Sequence, residues 1–187
     1  SKVFLSLNAN APLTNQHKRN ALQTMMSGWT RKMSKQHQNL MISLFGEKSL
    51  PSMKPEEFVS KLYLHCDDVK NDVGDSSLNR LYQAGIGKTW HEAYSGTSKQ
   101  ITQEVLKNLT SLNSVTPIPK NRKVCFVLAV HSSVQSGFSI DDEQKFVTNV
   151  SKLDEKLEDL SRKKHVEDKL KDPEVSVAPY YFEQMRL

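Results

Sequence analysis

Two segments far apart in the chain each carry a long, mostly apolar stripe at helical spacing. The apolar residues recur at steps of three and four, which places them on one face of an α-helix. The first stripe comprises Leu22, Met26, Trp29, Met33, His37, Leu40 and Leu44, and the second comprises Phe146, Val150, Leu153, Leu157 and Leu160. Such helices draw most of their stability from a surface that covers the stripe. The chain is therefore constrained to a fold in which both stripes find partners.

The composition favours helices over a turn-rich β fold. Among 187 residues there are only seven glycines and seven prolines, the residues that most often interrupt helices. A chain of this length fits one domain and can bury a core without disulfides or metal. We therefore expect an all-α fold, an elongated bundle of five or six helices whose long first and last helices pack together.

Turn and capping residues predict the individual helices. Thr14 can cap a first helix over residues 15–45, which Gly46 ends. Gly28 either costs about 1 kcal/mol inside that helix or splits it, with Thr30 capping the second piece. Further helices are expected over residues 55–67, 78–90, 98–112 and 140–171.

The longest apolar run of the chain is Val-Cys-Phe-Val-Leu-Ala-Val at residues 124–130. Periodicity does not separate a buried strand from a buried helix in such a run. No other segment offers an obvious strand to pair with, and the edges of a strand must be paired. We therefore favour a buried helix at the centre of the bundle.

The end of the chain differs from the rest. Pro173 pushes the residue before it out of helical geometry, so we expect a single helical domain over residues 1–172 and an extended tail over residues 173–187. The tail concentrates the aromatic residues Tyr180, Tyr181 and Phe182. Because aromatic side chains dominate interface energetics, these three are candidates for docking a partner. The alternative is that the tail folds back onto its own bundle.

The two ends of the chain carry net charges of opposite sign. Residues 1–50 hold seven Lys and Arg against one acid, whereas residues 139–187 hold nine against twelve acids. Five basic residues of the first part are candidate contacts for nucleic acid or for an acidic partner, namely Lys18, Arg19, Arg31, Lys32 and Lys35. Several phosphate contacts from one helix would give salt-sensitive binding. A solvated, charged helix face is the more common meaning of such a cluster.

No motif for catalysis or for a cofactor withstands inspection. The Gly-Lys-Thr sequence at 87–89 ends like a phosphate-binding loop, but Tyr82 stands where that loop needs glycine. The His-Glu pair at 91–92 would begin a zinc-protease motif, but Ser95 stands in place of its second histidine. We therefore expect no enzymatic activity, no cofactor and no bound metal.

The cysteines indicate the cellular compartment of the protein rather than a metal site. His65, Cys66, Cys125 and His131 could converge in space, although their spacing does not resemble a zinc site. Two thiols do not make a disulfide framework, so we expect a reducing, intracellular location in cytoplasm or nucleus. No apolar run approaches the roughly 18 residues that a membrane span needs.

These features together favour a non-enzymatic helical module for protein–protein interaction, assembly or self-association, as part of a larger protein or complex. The long stripes and the aromatic tail support this hypothesis. The alternative is a helical domain that binds RNA or DNA through its basic first helix, which rests on charge alone.

Overall fold

The computed structural model describes residues 14–68, 72–119 and 123–171, apart from the side chains of 154, 157, 158, 161 and 163–171. Over these residues the chain is all-α, as predicted, with no strand. Nine helices follow one another: α1 Asn15–Asn20, α2 Met25–Gln36, α3 Gln38–Phe45, α4 Lys54–Asp67, α5 Asp75–Ala84, α6 Trp90–Ala93, α7 Gly96–Val115, α8 Lys123–Gln135 and α9 Glu143–Lys171. The expected number of five or six helices is therefore wrong for the described chain.

The predicted first helix over residues 15–45 is in fact three helices. Gln23 adopts a left-handed φ of 53°, and Thr24 then caps α2 by accepting a hydrogen bond from the Ser27 N–H. A second break falls at His37, where ψ reaches 32° between α2 and α3. Neither break lies at Gly28, because α2 passes through that residue. The prediction that Gly46 ends this region is confirmed, with φ of 80°.

A second predicted helix is also divided. The helix expected over residues 78–90 ends at Ala84, and a short helix α6 begins at Trp90. Thr89 and Glu92 form a capping box in which the Glu92 carboxylate accepts hydrogen bonds from the Thr89 backbone N–H and hydroxyl. This reciprocal cap satisfies the first free N–H groups of α6 and fixes its start.

The helices α4 and α7 lie at the centre of the packing. Helix α4 packs between α2 and α7, and α7 in turn carries α8 and α9. The run at 124–130 is a helix, as favoured, with Phe126 and Val130 fully buried. It is not the centre of the fold, however, because α8 packs on α7 and α9 rather than between the long helices.

The two apolar stripes find different partners, so the expectation that the first and last helices pack together is wrong. The first stripe is covered by α4 and α7, whereas α9 packs against α7 and α8. The chain breaks after Asn20 and again at His37, so the first stripe is divided among short helices that can pack along α4. Its members from Met26 to Leu44 are thereby buried inside the bundle, whereas Leu22, in the turn before α2, is 40 % exposed.

An aromatic cluster joins α2, α4 and α6. The Trp29 ring meets the Trp90 ring edge-to-face, with centroids 5.2 Å apart, and the Tyr63 ring at 5.8 Å. Tyr94 closes the cluster at 4.9 Å from Trp90. Such pairs contribute about 0.5–1.5 kcal/mol each beyond the area they bury. The cluster therefore fixes the position of the short helix α6, which has few other contacts to hold it.

Replacement of glycine by alanine is expected to have opposite effects on the free energy of unfolding at positions 28 and 85. A Cβ at Gly28 would meet no atom within 4 Å, whereas a Cβ at Gly85 would fall 1.9 Å from the Tyr94 hydroxyl oxygen. We expect Gly28→Ala to raise the free energy of unfolding by roughly 0.5–1 kcal/mol, because Ala is the better helix former. We expect Gly85→Ala to lower it by about 1–3 kcal/mol, because the aromatic cluster must shift. Urea unfolding measures both, and equal effects would contradict the packing described.

Candidate functional site

Three basic side chains project from α2 into solvent. Arg31, Lys32 and Lys35 are exposed, as a nucleic-acid or acidic-partner contact requires. Across the described residues, none of the three forms an ion pair, whereas Lys61 pairs with Glu57 and Lys107 with Glu104. Their positive charge is therefore available to a partner. We call Arg31, Lys32 and Lys35 the basic face of α2.

A buried carboxyl group lies beneath this face. Glu56 of α4 is 8 % exposed, and its Oε2 atom has no hydrogen-bond partner among the described residues. Burial raises the pKa of Glu56, and the charges of Arg31 and Lys35 oppose that rise only in part. The Glu56 carboxyl group is therefore buried and shifted toward its neutral form, so it contributes little negative charge at the basic face of α2.

Arg19 does not belong to the exposed cluster, which corrects the sequence prediction for that residue. Its side chain is 2 % exposed and donates a 2.9 Å hydrogen bond to Asp75, with Glu57 3.6 Å away. The hydrogen bond from Arg19 holds the pKa of Asp75 below its usual value. A guanidinium that is buried and paired in this way holds α1 against α4 and α5 instead of reaching a partner.

Lys18 is exposed but lies on a different surface from the basic face of α2. It borders an open cleft of about 360 Å³ between α1 and α5, together with Leu22, Asn79 and Gln83. Of the five basic residues predicted from the sequence, α2 therefore brings three together. The described structure places Lys18 apart from them on α1 and removes Arg19 from the surface.

The first part of α9 is anchored on the bundle. Asp142 accepts a 2.8 Å hydrogen bond from the backbone N–H of Lys145 and so caps the helix. Glu143 accepts a hydrogen bond from the Ser111 hydroxyl of α7. Val147 and Val150 are buried, at 6 % and 5 % exposed. This part of the second stripe packs inside the bundle, as the sequence predicts.

Beyond Val150 the stripe leaves the bundle. Leu153 is 51 % exposed and Leu160 is 53 % exposed, and their spacing of one heptad keeps them on the same helix face. The expectation that the whole second stripe packs inside one bundle is therefore wrong for these two residues. The cause is a mismatch of length, because α7 and α8, with 20 and 13 residues, are shorter than the 29-residue α9. We call the α9 face that carries Leu153 and Leu160 the exposed stripe.

Two histidines meet between α4 and α8, the buried His131 and the half-buried His65, so of the four residues that could converge these two are shown to do so. The ring centroids of His65 and His131 are 4.6 Å apart, and His65 Nε2 has no hydrogen-bond partner among the described residues. Burial lowers the pKa of both, and the neighbouring His65 lowers that of His131 further. Both imidazoles are thus held in their neutral form. Cys66 and Cys125 are buried and form no disulfide, and burial raises the pKa of Cys66 to about 11.

The structure leaves other predictions untested. Tyr180, Tyr181 and Phe182, the predicted docking residues of the tail, lie outside the described residues. In the described part of the chain, no three His, Cys, Asp or Glu side chains group as a metal ion would require. No helix there is long and apolar enough to cross a membrane.

Comparison of the chain with protein-family models, with curated proteins and with solved structures finds no match in any of the three. Function must therefore be argued from the two surfaces described above, the basic face of α2 and the exposed stripe of α9.

The histidine pair predicts a loss of stability in mild acid. The ordinary pKa is 6.5 and both folded-state values lie below it, so the unfolded chain takes up protons first as the pH falls. The free energy of unfolding should therefore be highest above about pH 7 and should decrease between about pH 7 and pH 5.5. His131→Phe keeps an aromatic ring beside His65 and should make this decrease smaller.

The matched control is His91→Phe at an exposed histidine, which should leave the pH dependence as it is in the parent chain. Urea unfolding at several pH values measures all three proteins. Comparison with the parent chain cancels the contribution of Glu56, whose pKa is raised and which therefore acts in the opposite direction. An unchanged slope in His131→Phe would contradict the prediction.

Proposed function

We propose that this chain is a non-enzymatic helical assembly module that docks another helix on the exposed stripe of α9. One observation carries the proposal, namely that Leu153 and Leu160 are each more than half exposed on one face of a continuous helix. Surface leucines scattered singly need no explanation, whereas two at heptad spacing form the seam that a partner helix occupies.

The length of α9 supports the same proposal. Its 29 residues extend over about 44 Å, and among its described side chains the last buried one is Val150. From Lys152 onward every described side chain of α9 is exposed, and a helix without tertiary packing is only marginally stable in water. A partner that covers the exposed stripe would supply the missing packing, in the helix-in-groove or coiled-coil manner.

Site-specific photo-cross-linking tests the proposal. A photoreactive phenylalanine derivative replaces Leu160 in one protein and Glu155 in another, in cells that express the full chain. Glu155 is an exposed residue of α9 that lies about 200° around the helix from Leu153. We expect adducts from position 160 and few from position 155, because only the former faces the docked helix.

A second measurement tests whether the adducts from position 160 depend on the exposed stripe. Introducing Leu153→Glu into the Leu160 reporter should remove most of the adducts, since a charge at this position opposes burial. The substitution lies on an exposed residue and should leave the helical signal in circular dichroism unchanged. Equal adducts from positions 155 and 160, or none from either, would refute docking on this face.

The basic face of α2 supports a second candidate function, the binding of RNA or DNA. The supporting observation is that Arg31, Lys32 and Lys35 are exposed on one helix without carboxylate partners in the described chain. Arg31 and Lys32 are adjacent and Lys35 follows about one turn later, so the three could contact neighbouring phosphates, and such contacts supply affinity that depends on salt.

Charge reversal of the basic face tests this second function. Arg31→Glu, Lys32→Glu and Lys35→Glu together should weaken binding to single-stranded RNA by roughly tenfold or more and reduce the salt slope by about 2, at 0.7 per lost contact. The control reverses three exposed lysines elsewhere, Lys48, Lys88 and Lys107, with the same change in net charge. Filter binding at several salt concentrations measures both, and equal losses in the two proteins would reject a specific face.

The state of the cysteines supports an intracellular location for either function. Cys66 and Cys125 are both buried thiols that form no disulfide, as is usual in a reducing compartment. A location in cytoplasm or nucleus is part of the proposal and agrees with a role in assembly.

A further inference from the structure

We infer that the basic face of α2 binds a phosphodiester chain, which lies directly against the helix at Gly28, between the three cations. This inference rests on the second candidate function, the binding of RNA or DNA. It names the contact by which this face takes a nucleic acid in preference to an acidic protein.

Gly28 lies in the middle of the three cations. They follow it by three, four and seven residues and are Arg31, Lys32 and Lys35, at the spacings that bring side chains to one face of a helix. At about 100° per residue, Arg31 lies about 60° to one side of Gly28 and Lys32 about 40° to the other, with Lys35 about 20° away. All four residues are exposed. The cations therefore surround a patch of helix that carries no side chain.

The fold gives no reason for a glycine at this position. The backbone of Gly28 is not left-handed, and a Cβ there would meet no atom within 4 Å. Glycine inside a helix is less favourable than alanine, so α2 contains a residue that weakens it and that allows no closer packing within the chain. Close approach of a ligand to the backbone is a use of glycine that fits these observations.

The open space at Gly28 suits an anion whose charges belong to its own backbone. In a nucleic acid the phosphates are part of the chain, so the chain itself must come within reach of the cations. In an acidic protein the carboxylates stand at the ends of side chains, and they meet the tips of Arg31 and Lys35 while their own backbone stays away from α2. A phosphodiester chain at Gly28 is contacted by cations on both sides, which favours a nucleic acid as the ligand.

The start of α2 adds positive potential at the same place. Gly28 is the fourth residue of the helix, and the first turn contains no acidic side chain. The partial positive charge of a helix N-terminus acts within this first turn. Because no carboxylate of α2 offsets that charge, it attracts a phosphate beside Gly28 in addition to the three cations.

Filling the open space tests the inference on the full chain. Gly28→Leu adds an apolar side chain that favours the helix and leaves all three cations in place. It should weaken binding to single-stranded RNA, and to single-stranded DNA of the same sequence, by roughly tenfold, because the chain is held away from the cations. Gly28→Ala should weaken both by less. Filter binding at several salt concentrations measures each ligand.

The matched control is Gly96→Leu. Gly96 is also an exposed helical glycine at which a Cβ would meet no atom within 4 Å, and its substitution should leave the binding of both nucleic acids as in the parent chain. Urea unfolding of each variant separates a loss of binding from a loss of the fold. Gly28→Leu and Gly28→Ala should both be at least as stable as the parent chain, since either residue is a better helix former than glycine.

Polyglutamate is the third ligand in the assay, as a polyanion whose charges lie on side chains. Nucleic-acid binding that is weakened in Gly28→Leu, while polyglutamate binds this variant and the parent chain alike or binds neither, supports the inference. Equal weakening for polyglutamate and nucleic acid overturns it, because an acidic protein then fits the face as well. If only RNA or only DNA binds the parent chain, that nucleic acid is the ligand and is compared with polyglutamate in the same way.

The charge-reversed protein separates failure of this inference from failure of the second candidate function. RNA binding that is kept in Gly28→Leu but lost on reversal of Arg31, Lys32 and Lys35 retains the function and overturns the contact at Gly28. A parent chain that binds neither RNA nor DNA refutes the function and the inference together.

Discussion

The interlocked rings of Trp29, Tyr63, Trp90 and Tyr94 are the contact on which the arrangement of the bundle depends. They join three helices that the chain reaches at widely separated points. Because α6 has a single helical turn, it holds its place through these rings and its capping box rather than through length. With α2 and α4 fixed in this way, α7 completes the core and provides the surface on which α8 and α9 pack.

Periodicity and capping residues predicted the all-α class and several helix limits, but not the breaks in the first stripe. Gly46 ends α3 as expected, and Thr14 caps α1 by accepting from the His17 N–H. The break before Thr24, however, passes through a left-handed glutamine, which carries no local turn signal. Gly28, which does carry one, lies in open space where a helix tolerates it. Tertiary contacts decided both outcomes, because α1 must leave the line of α2 to lie against α5.

The same break explains why neighbouring basic residues have different roles. Gln16 of α1 donates a 2.7 Å hydrogen bond to the buried Tyr82 hydroxyl, which also meets Ser60 at 2.8 Å. This network turns α1 inward and carries Arg19 into contact with Asp75. Sequence reasoning grouped Arg19 with Arg31 on charge alone. The charge pattern was visible in the sequence, but the burial of one member was not.

The exposed stripe of α9 follows from a mismatch of helix lengths rather than from an unusual residue. Helix α8 has 13 residues and α9 has 29, so a stripe that is uniform in sequence is covered in its first part and bare in its second. Periodicity reports which residues share a face, but it cannot report how far the neighbouring helices extend along it.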